Sequence, residues 1–366
     1  MEQTIMKKLV IGDKIAELPI VQGGMGIGIS LSNLASAVAN EGGIGVISAA
    51  GIGVFDGKTN DFNYNNIQGL RTEIQRAKEM TTGLLGVNIM VALTNFGELV
   101  TAAIEEGIDF IFAGAGLPLD LPKYKNEASK TKLVPIISSG RAARVIIQKW
   151  IKNYNYLPDA FVLEGPLAGG HLGFKDEQIE SKDYTLEKLL PELLEALAPY
   201  EKEYGQKIPV ITGGGIFTGS DIHYYLNNGA SAVQMATRFV TTDECDASEE
   251  FKQTYINSKK EDIVYIKSPV GLPGRAINNN FLEDVRNNLK HPFVCPFDCI
   301  ITCKKEQAPY CISLALFNAK KGKMTHGFAF AGSNAYKTKT IVSVKKLIET
   351  LKLEYENACK KLVLSN

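Results

Sequence analysis

Short apolar runs bounded by turn residues recur along the first two-thirds of the chain. They are Pro19–Gln22, Gly45–Ser48, Leu85–Met90, Phe110–Ala115, Val134–Ser138, Ala160–Glu164, Pro209–Thr212 and Ala232–Thr237. Between them lie segments with apolar residues at helical spacing, including Leu31–Asn40, Asn66–Met80, Phe96–Glu106, Ala142–Asn153 and Leu186–Tyr204. Near-continuous apolar strands alternating with helices predict a parallel sheet covered on both faces. Eight such units predict an α/β protein built as a closed (β/α)8 TIM barrel. A doubly wound open sheet is the alternative. Gly24-Met25-Gly26-Ile27-Gly28 follows a strand, but no acidic residue ends the next strand at Ser48, so the dinucleotide fingerprint is incomplete.

The pattern changes after Phe239. Residues 241–330 hold charge-rich helical pieces, Pro/Gly turns and most of the cysteines. This stretch reads as a smaller, mainly helical insertion or cap. The last segment, Thr340–Leu362, reads as an amphipathic helix carrying Val342, Val344, Leu347, Ile348, Leu351 and Leu353. It is expected to return to the barrel after the eighth strand, so the barrel comprises residues 1–240 and 331–366.

Composition narrows the function. The 366 residues carry 40 Lys+Arg and 40 Asp+Glu, and this neutrality argues against a nucleic-acid surface. The apolar residues after Lys7-Lys8 are too few for a signal peptide, and no run reaches membrane-spanning length, so a cytoplasmic protein is expected. A small-molecule substrate is expected, and a homodimer is left open. The six cysteines are not the framework of a small secreted domain. Cys295, Cys299, Cys303 and Cys311 could be reduced structural thiols or could hold zinc or an iron–sulfur cluster. Their spacing matches neither zinc pairs nor ferredoxin patterns, so no metal ligand is assigned. If helical, the first three would share a face.

Chemistry concentrates where strands end. Ile208–Phe239 reads as strand, glycine turn, helix, strand and small-residue turn, with Thr218, Ser220 and Asp221 as helix-start residues and Asn228-Gly229 as the stop. The turns at Gly213-Gly214-Gly215 and Ala236-Thr237 offer free backbone N–H groups that can bind a phosphate, as loops after the last two strands of such a barrel often do. The other strand ends are also small, so a flat ligand could lie across the mouth, with Gln22 and Asn88 offering hydrogen bonds. A flat ring with one phosphate suggests a mononucleotide cofactor. His171 lies in the glycine-rich loop after the sixth strand, where a histidine can take or give a proton near neutral pH.

P-I-V-Q-G-G-M-G at Pro19–Gly26, G-V-N-I at Gly86–Ile89, A-G-G-H-L-G at Ala168–Gly173, G-G-G-I at Gly213–Ile216 and V-Q-M-A-T-R-F at Val233–Phe239 occur in order. Together they resemble the nitronate monooxygenase (2-nitropropane dioxygenase) family of FMN enzymes, which is related to the flavin-dependent enoyl-acyl-carrier-protein reductases. Weaker echoes lie at Gly271–Arg275 and Ala331–Ala335. The resemblance implies that Gly24 and Met25 line the flavin ring and that Asn88 hydrogen-bonds it. It implies that Gly214, Gly215, Ala236 and Thr237 hold the FMN phosphate, with Gln234 nearby. It makes His171 the catalytic acid or base and brings Ser333 and Asn334 toward the ring. The family often carries an acidic residue where this chain has Leu167, and Glu164 cannot be assumed to replace it.

Three functions are therefore expected in turn. The first is an FMN-dependent oxidoreductase oxidising alkyl nitronates or nitroalkanes with O2. The alternative is an NAD(P)H-dependent enoyl-thioester reductase, whose acyl carrier protein could dock on Lys304-Lys305 or on Lys320, Lys321 and Lys323. The last is a non-catalytic or regulatory flavin-binding protein.

Overall fold

The computed structural model describes residues 6–53, 59–291, 295 and 297–365. Eight parallel strands form the central sheet: β1 Ile20–Gln22, β2 Gly45–Ser48, β3 Leu85–Met90, β4 Phe110–Gly114, β5 Lys132–Ile137, β6 Phe161–Glu164, β7 Val210–Gly213 and β8 Ala232–Met235. Their order around the sheet is β1-β8-β7-β6-β5-β4-β3-β2. The two ends meet where Val21 bridges Ile44, the Ile44 N–H donates to the Ile20 carbonyl, and the Gln22 N–H donates to the Ile44 carbonyl, each at 2.9 Å. The sheet is thus a barrel, and the open doubly wound alternative is excluded.

Gln22 completes this seam. Its side-chain oxygen accepts the Val46 N–H at 2.9 Å, and its amide nitrogen donates to the Gly23 carbonyl. The side chain is fully buried. Gln22 was expected to face a ligand; instead it supplies the rung that the short β1 strand lacks.

The barrel interior is filled by Val21, Val46, Phe110, Phe112, Val134, Val162, Ile211 and Ala232. A Cβ on Gly86 would lie 2.6 Å from the Phe112 ring, so glycine there makes room for the aromatic. Leu9–Ile11 and Lys14–Ala16 form a hairpin whose Leu9, Ile11 and Ala16 join this interior cluster. Lys14 pairs with Asp109 at 2.5 Å and Asp13 with Lys132 at 2.7 Å, which fixes the hairpin at the N-terminal ends of β4 and β5. One end of the barrel is therefore plugged, and ligands must use the other.

The covering helices are α1 Ser32–Asn40, α2 Phe62–Met80, α3 Phe96–Glu105, α4 Gly140–Tyr154, α5 Leu186–Tyr204 and α6 Gly219–Asn227. Local signals explain their ends. Ser139 caps α4 by accepting the Ala142 N–H, and Thr218 and Asp221 form a capping box on α6. The returning helix, α7, spans Val344–Ser365. It starts later than expected, because Val342 is extended and exchanges backbone hydrogen bonds with Thr241 and Asp243. A Cβ on Gly219 would sit 2.1 Å from the Leu351 carbonyl oxygen, so α6 and α7 touch backbone to backbone.

Between β8 and α7 lie the helices Glu249–Asn257, Asn280–Arg286 and Ile312–Lys320 and the strands Ile263–Lys267 and Pro273–Ile277. Their buried residues are continuous with those under the barrel helices. Among the described residues, no helix is long and apolar enough to cross a membrane.

Replacing Gln22 with leucine leaves the buried Val46 N–H without an acceptor, which costs about 1–3 kcal/mol. The denaturation midpoint of Gln22→Leu is expected to fall accordingly. An unchanged midpoint would mean that the seam does not depend on this side chain.

Candidate active site

The C-terminal ends of the barrel strands surround a cavity of about 670 Å3, within the range of ligand sites. Gly24, Met25, Asn88, His171, Gly214, Gly215, Gln234, Ala236, Thr237 and Ser333 all line it. Residues separated by up to about three hundred positions thus converge on one mouth. Gln22 does not reach it. Asn334 does, but its side-chain amide donates to the Gly215 carbonyl at 2.6 Å rather than standing free.

Backbone clearance shapes the floor. A Cβ on Gly24 would lie 2.4 Å from the Asn88 Cβ, so this turn lies directly on the Asn88 side chain. Asn88 makes only a long 3.4 Å bond to the Phe112 carbonyl. Gly214 and Gly215 have φ of 103° and 83°, which L side chains rarely adopt. A Cβ on Gly214 would also approach the Gly165 carbonyl oxygen to 2.8 Å. The Gly215 N–H finds no acceptor among the described residues, whereas the parallel register of Gly213 with Gln234 turns the Gly214 N–H toward the Gln234 carbonyl. The buried Ser333 hydroxyl likewise has no partner. The segment carrying Ser333 is held in place by bonds from the Gly332 N–H to the Thr237 hydroxyl and from the Ser333 N–H to the Leu167 carbonyl.

The His171 loop is built by the insertion as much as by the barrel. Gly170–His171 forms the third strand of a small antiparallel sheet with Pro273–Ile277 and Ile263–Lys267. The His171 Nε2 lies 2.7 Å from the Ser268 hydroxyl, and its ring meets Phe330 edge-on at 5.0 Å. Burial pushes the imidazole down to about 4, so the ring is neutral at pH 7. Arg275 is buried and braces the loop from behind. Its guanidinium donates to the Ala168 carbonyl and to the Tyr265 hydroxyl at 2.6 Å. Leu167 projects beside Gly215 and leaves no carboxylate next to His171 at that position.

Glu164, at the end of β6, also lines the cavity. Burial pushes its carboxyl up to about 7, against the opposing charge of Arg275. Ser268, Arg275 and Glu164 are the neighbours of His171 or its loop that sequence reasoning did not assign. Glu164 was visible as a polar strand end. Arg275 lay in the weak echo at Gly271–Arg275, and Ser268 gave no signal.

The far wall is apolar and comes from the insertion: Phe251, Tyr255, Ile300, Ile312, Leu316 and Phe330. Lys305 is engaged with Asp298 at 2.6 Å, and Lys321 lies over the Phe317 ring at 4.2 Å, so neither is simply a free docking charge. The described residues between Cys295 and Cys303 are irregular rather than helical, so the helical case in which the first three would share a face does not arise. Among the described residues, no three His, Cys, Asp or Glu side chains are arranged around a single metal ion.

This geometry has known counterparts. The family model described as nitronate monooxygenase matches residues 8–354. A probable nitronate monooxygenase of Staphylococcus aureus is 28% identical over 305 residues, covering 74% of this chain and 78% of the relative. The structure of FabK from Thermotoga maritima superposes with a TM-score of 0.74 at 27% identity, over 96% of both chains. That of nitroalkane oxidase from Streptomyces ansochromogenes superposes with a TM-score of 0.72 over 95% of this chain and 98% of that one, and at 22% identity it bears on the fold alone. The chain belongs to the nitronate monooxygenase family and is a flavin-dependent oxidoreductase.

Proposed function

We propose that the protein binds FMN across the barrel mouth and oxidises alkyl nitronates or nitroalkanes with O2. The carrying observation is the pairing of a neutral, half-buried His171 with two unfilled donors on the same cavity, the Gly215 N–H and the Ser333 hydroxyl. The free N–H of Gly215 in the Gly214-Gly215 turn, with Ala236 and Thr237 opposite, suits the FMN phosphate. The unpartnered Ser333 hydroxyl and the Asn88 and Gln234 amides suit the polar atoms of the rest of the cofactor. Gly24 and Met25 leave a flat surface for the ring. Residues 241–330 act as a cap that closes the apolar side of the cavity.

Bound flavin supplies the redox chemistry. The chain handles the proton. A neutral imidazole can accept the α-proton of a nitroalkane, and the resulting imidazolium sits beside the anion it has made. The Ser268 hydroxyl holds Nε2 and so fixes the ring while the proton moves. A preformed nitronate needs no such base.

A second reading, NAD(P)H-dependent reduction of an enoyl thioester, draws on the depth of the apolar wall at Ile312 and Leu316 and on the overall likeness to FabK. Flavin bleaching separates the two. Propyl nitronate without oxygen is expected to bleach the flavin, and NAD(P)H is expected to do so poorly. His171→Ala should leave bleaching by nitronate intact while slowing turnover of the neutral nitroalkane by about 10²–10⁴-fold. Rapid bleaching by NAD(P)H, reversed by crotonyl thioester, would establish the second reading. Unchanged nitroalkane turnover in His171→Ala would remove the base from the mechanism.

Glu164 adds a pH signature. Its carboxyl titrates near 4.5 in the unfolded chain and about 7 in the folded one. Between those values the folded state holds a proton that the unfolded state has lost, so stability falls as pH rises through this window. Glu164→Gln removes that loss. At fixed flavin content, the variant's melting temperature should gain on the wild type between about pH 5 and pH 8. A pH-independent difference would show that Glu164 is not held protonated.

A further inference from the structure

The function described above makes no use of Cys295, Cys299, Cys303 and Cys311. All four thiols are free and line one small cavity. The other two cysteines, Cys245 and Cys359, lie apart from it. The cysteine-bearing loop is tied to the exit of β3. The Leu93–Ile300 bridge, the Thr94 N–H to the Cys299 carbonyl (3.2 Å) and the Ile301 N–H to the Ala92 carbonyl (2.9 Å) hold it there. Cys299, Ile300 and Ile312 line both this cavity and the barrel-mouth cavity, so the two share a wall.

Two of the sulfurs are hydrogen-bonded. The Asp298 N–H donates to Cys295 Sγ at 3.4 Å, and the Ser313 hydroxyl lies 3.1 Å from Cys299 Sγ. Cys311 stands at the start of the helix Ile312–Lys320. Structural thiols in a core require no such gathering of four with donors attached.

A single zinc ion does not fit. Zinc binds four sulfurs tetrahedrally at about 2.3 Å, and no three of these side chains converge on one point. A polynuclear centre holds its thiolates farther apart, around a body of metal and sulfide, and takes four cysteines. We propose that Cys295, Cys299, Cys303 and Cys311 bind an iron–sulfur cluster, set against the wall of the flavin and substrate cavity. On binding, four S–H bonds are replaced by four Fe–S bonds and the protons leave to solvent. The hydrogen bonds from Asp298 and Ser313 then act on ligand sulfurs, where they tune the potential. The site stands on its own residues and does not depend on whether nitronates are the substrate.

The test is the full-length protein, purified without oxygen. Iron and acid-labile sulfide are expected in equal amounts, about two of each for a two-iron cluster or about four for a four-iron cluster. Broad absorbance beyond that of flavin and a paramagnetic signal after dithionite reduction should accompany them. Cys295→Ser and Cys303→Ser should each lower iron at least about fivefold, while Cys245→Ser keeps it. Alkylation mapped on the wild-type protein guards against a misfolded variant: the four cysteines should be protected until the iron is removed by chelator and oxidant. One zinc per chain, or iron below one per chain with all four thiols freely alkylated, would overturn the proposal.

Discussion

The whole site rests on backbone clearance at one rim of a closed barrel. The sheet closes through a seam so short that Gln22 must lend its side chain to the ladder. The hairpin at Leu9–Ala16 plugs one end. Only the opposite rim can admit a ligand, and there the chain is reduced to glycine where space is tightest. Any Cβ at Gly24 would strike Asn88, and any at Gly214 would strike the Gly165 carbonyl. A Cβ at Gly169 would meet the Ala331 backbone at 2.5 Å. These approaches draw the turns after β1, β6 and β7 and the segment at Ala331–Asn334 into one surface. They also leave the Gly215 N–H without an acceptor among the described residues.

The barrel and the insertion divide the work. The barrel rim supplies the small residues and amides on which the proposed cofactor rests. The insertion supplies what surrounds His171: the strand at Pro273–Ile277 that pairs with its loop, Ser268 on its ring nitrogen, Phe330 in an edge-on contact and Arg275 behind it. The group proposed to handle the proton is thus fixed from outside the barrel, while the proposed cofactor rests on the barrel itself. The carboxyl of Glu164 beneath the same loop is a second, separate means of tuning charge in the cavity.

The fold was largely legible because the barrel strands are near-continuous runs of apolar, often β-branched residues, and the turns between them carry ordinary caps such as Ser139 and Thr218. The rim was legible because its glycines and motifs are local in sequence. What was misread depended on distant partners. Gln22 looked like a ligand contact, but its partner is Val46 across the seam. Val342 fitted a helical period, but it pairs with the backbone near Thr241. Ser268 and Arg275 act on residues about a hundred positions earlier, which no local pattern records. The cysteines fitted no spacing rule because they meet through an irregular loop rather than along a helix.

The central claim is that the rim at Gly214–Gly215 and Ala236–Thr237 seats a phosphate, making the ligand a flavin mononucleotide rather than any flat ring. The direct measurement is the affinity of the flavin-free protein for FMN and for riboflavin, which differ by that phosphate alone. The account predicts that FMN binds at least about tenfold more tightly, a difference of about 1.4 kcal/mol or more. Equal affinity for the two would contradict it.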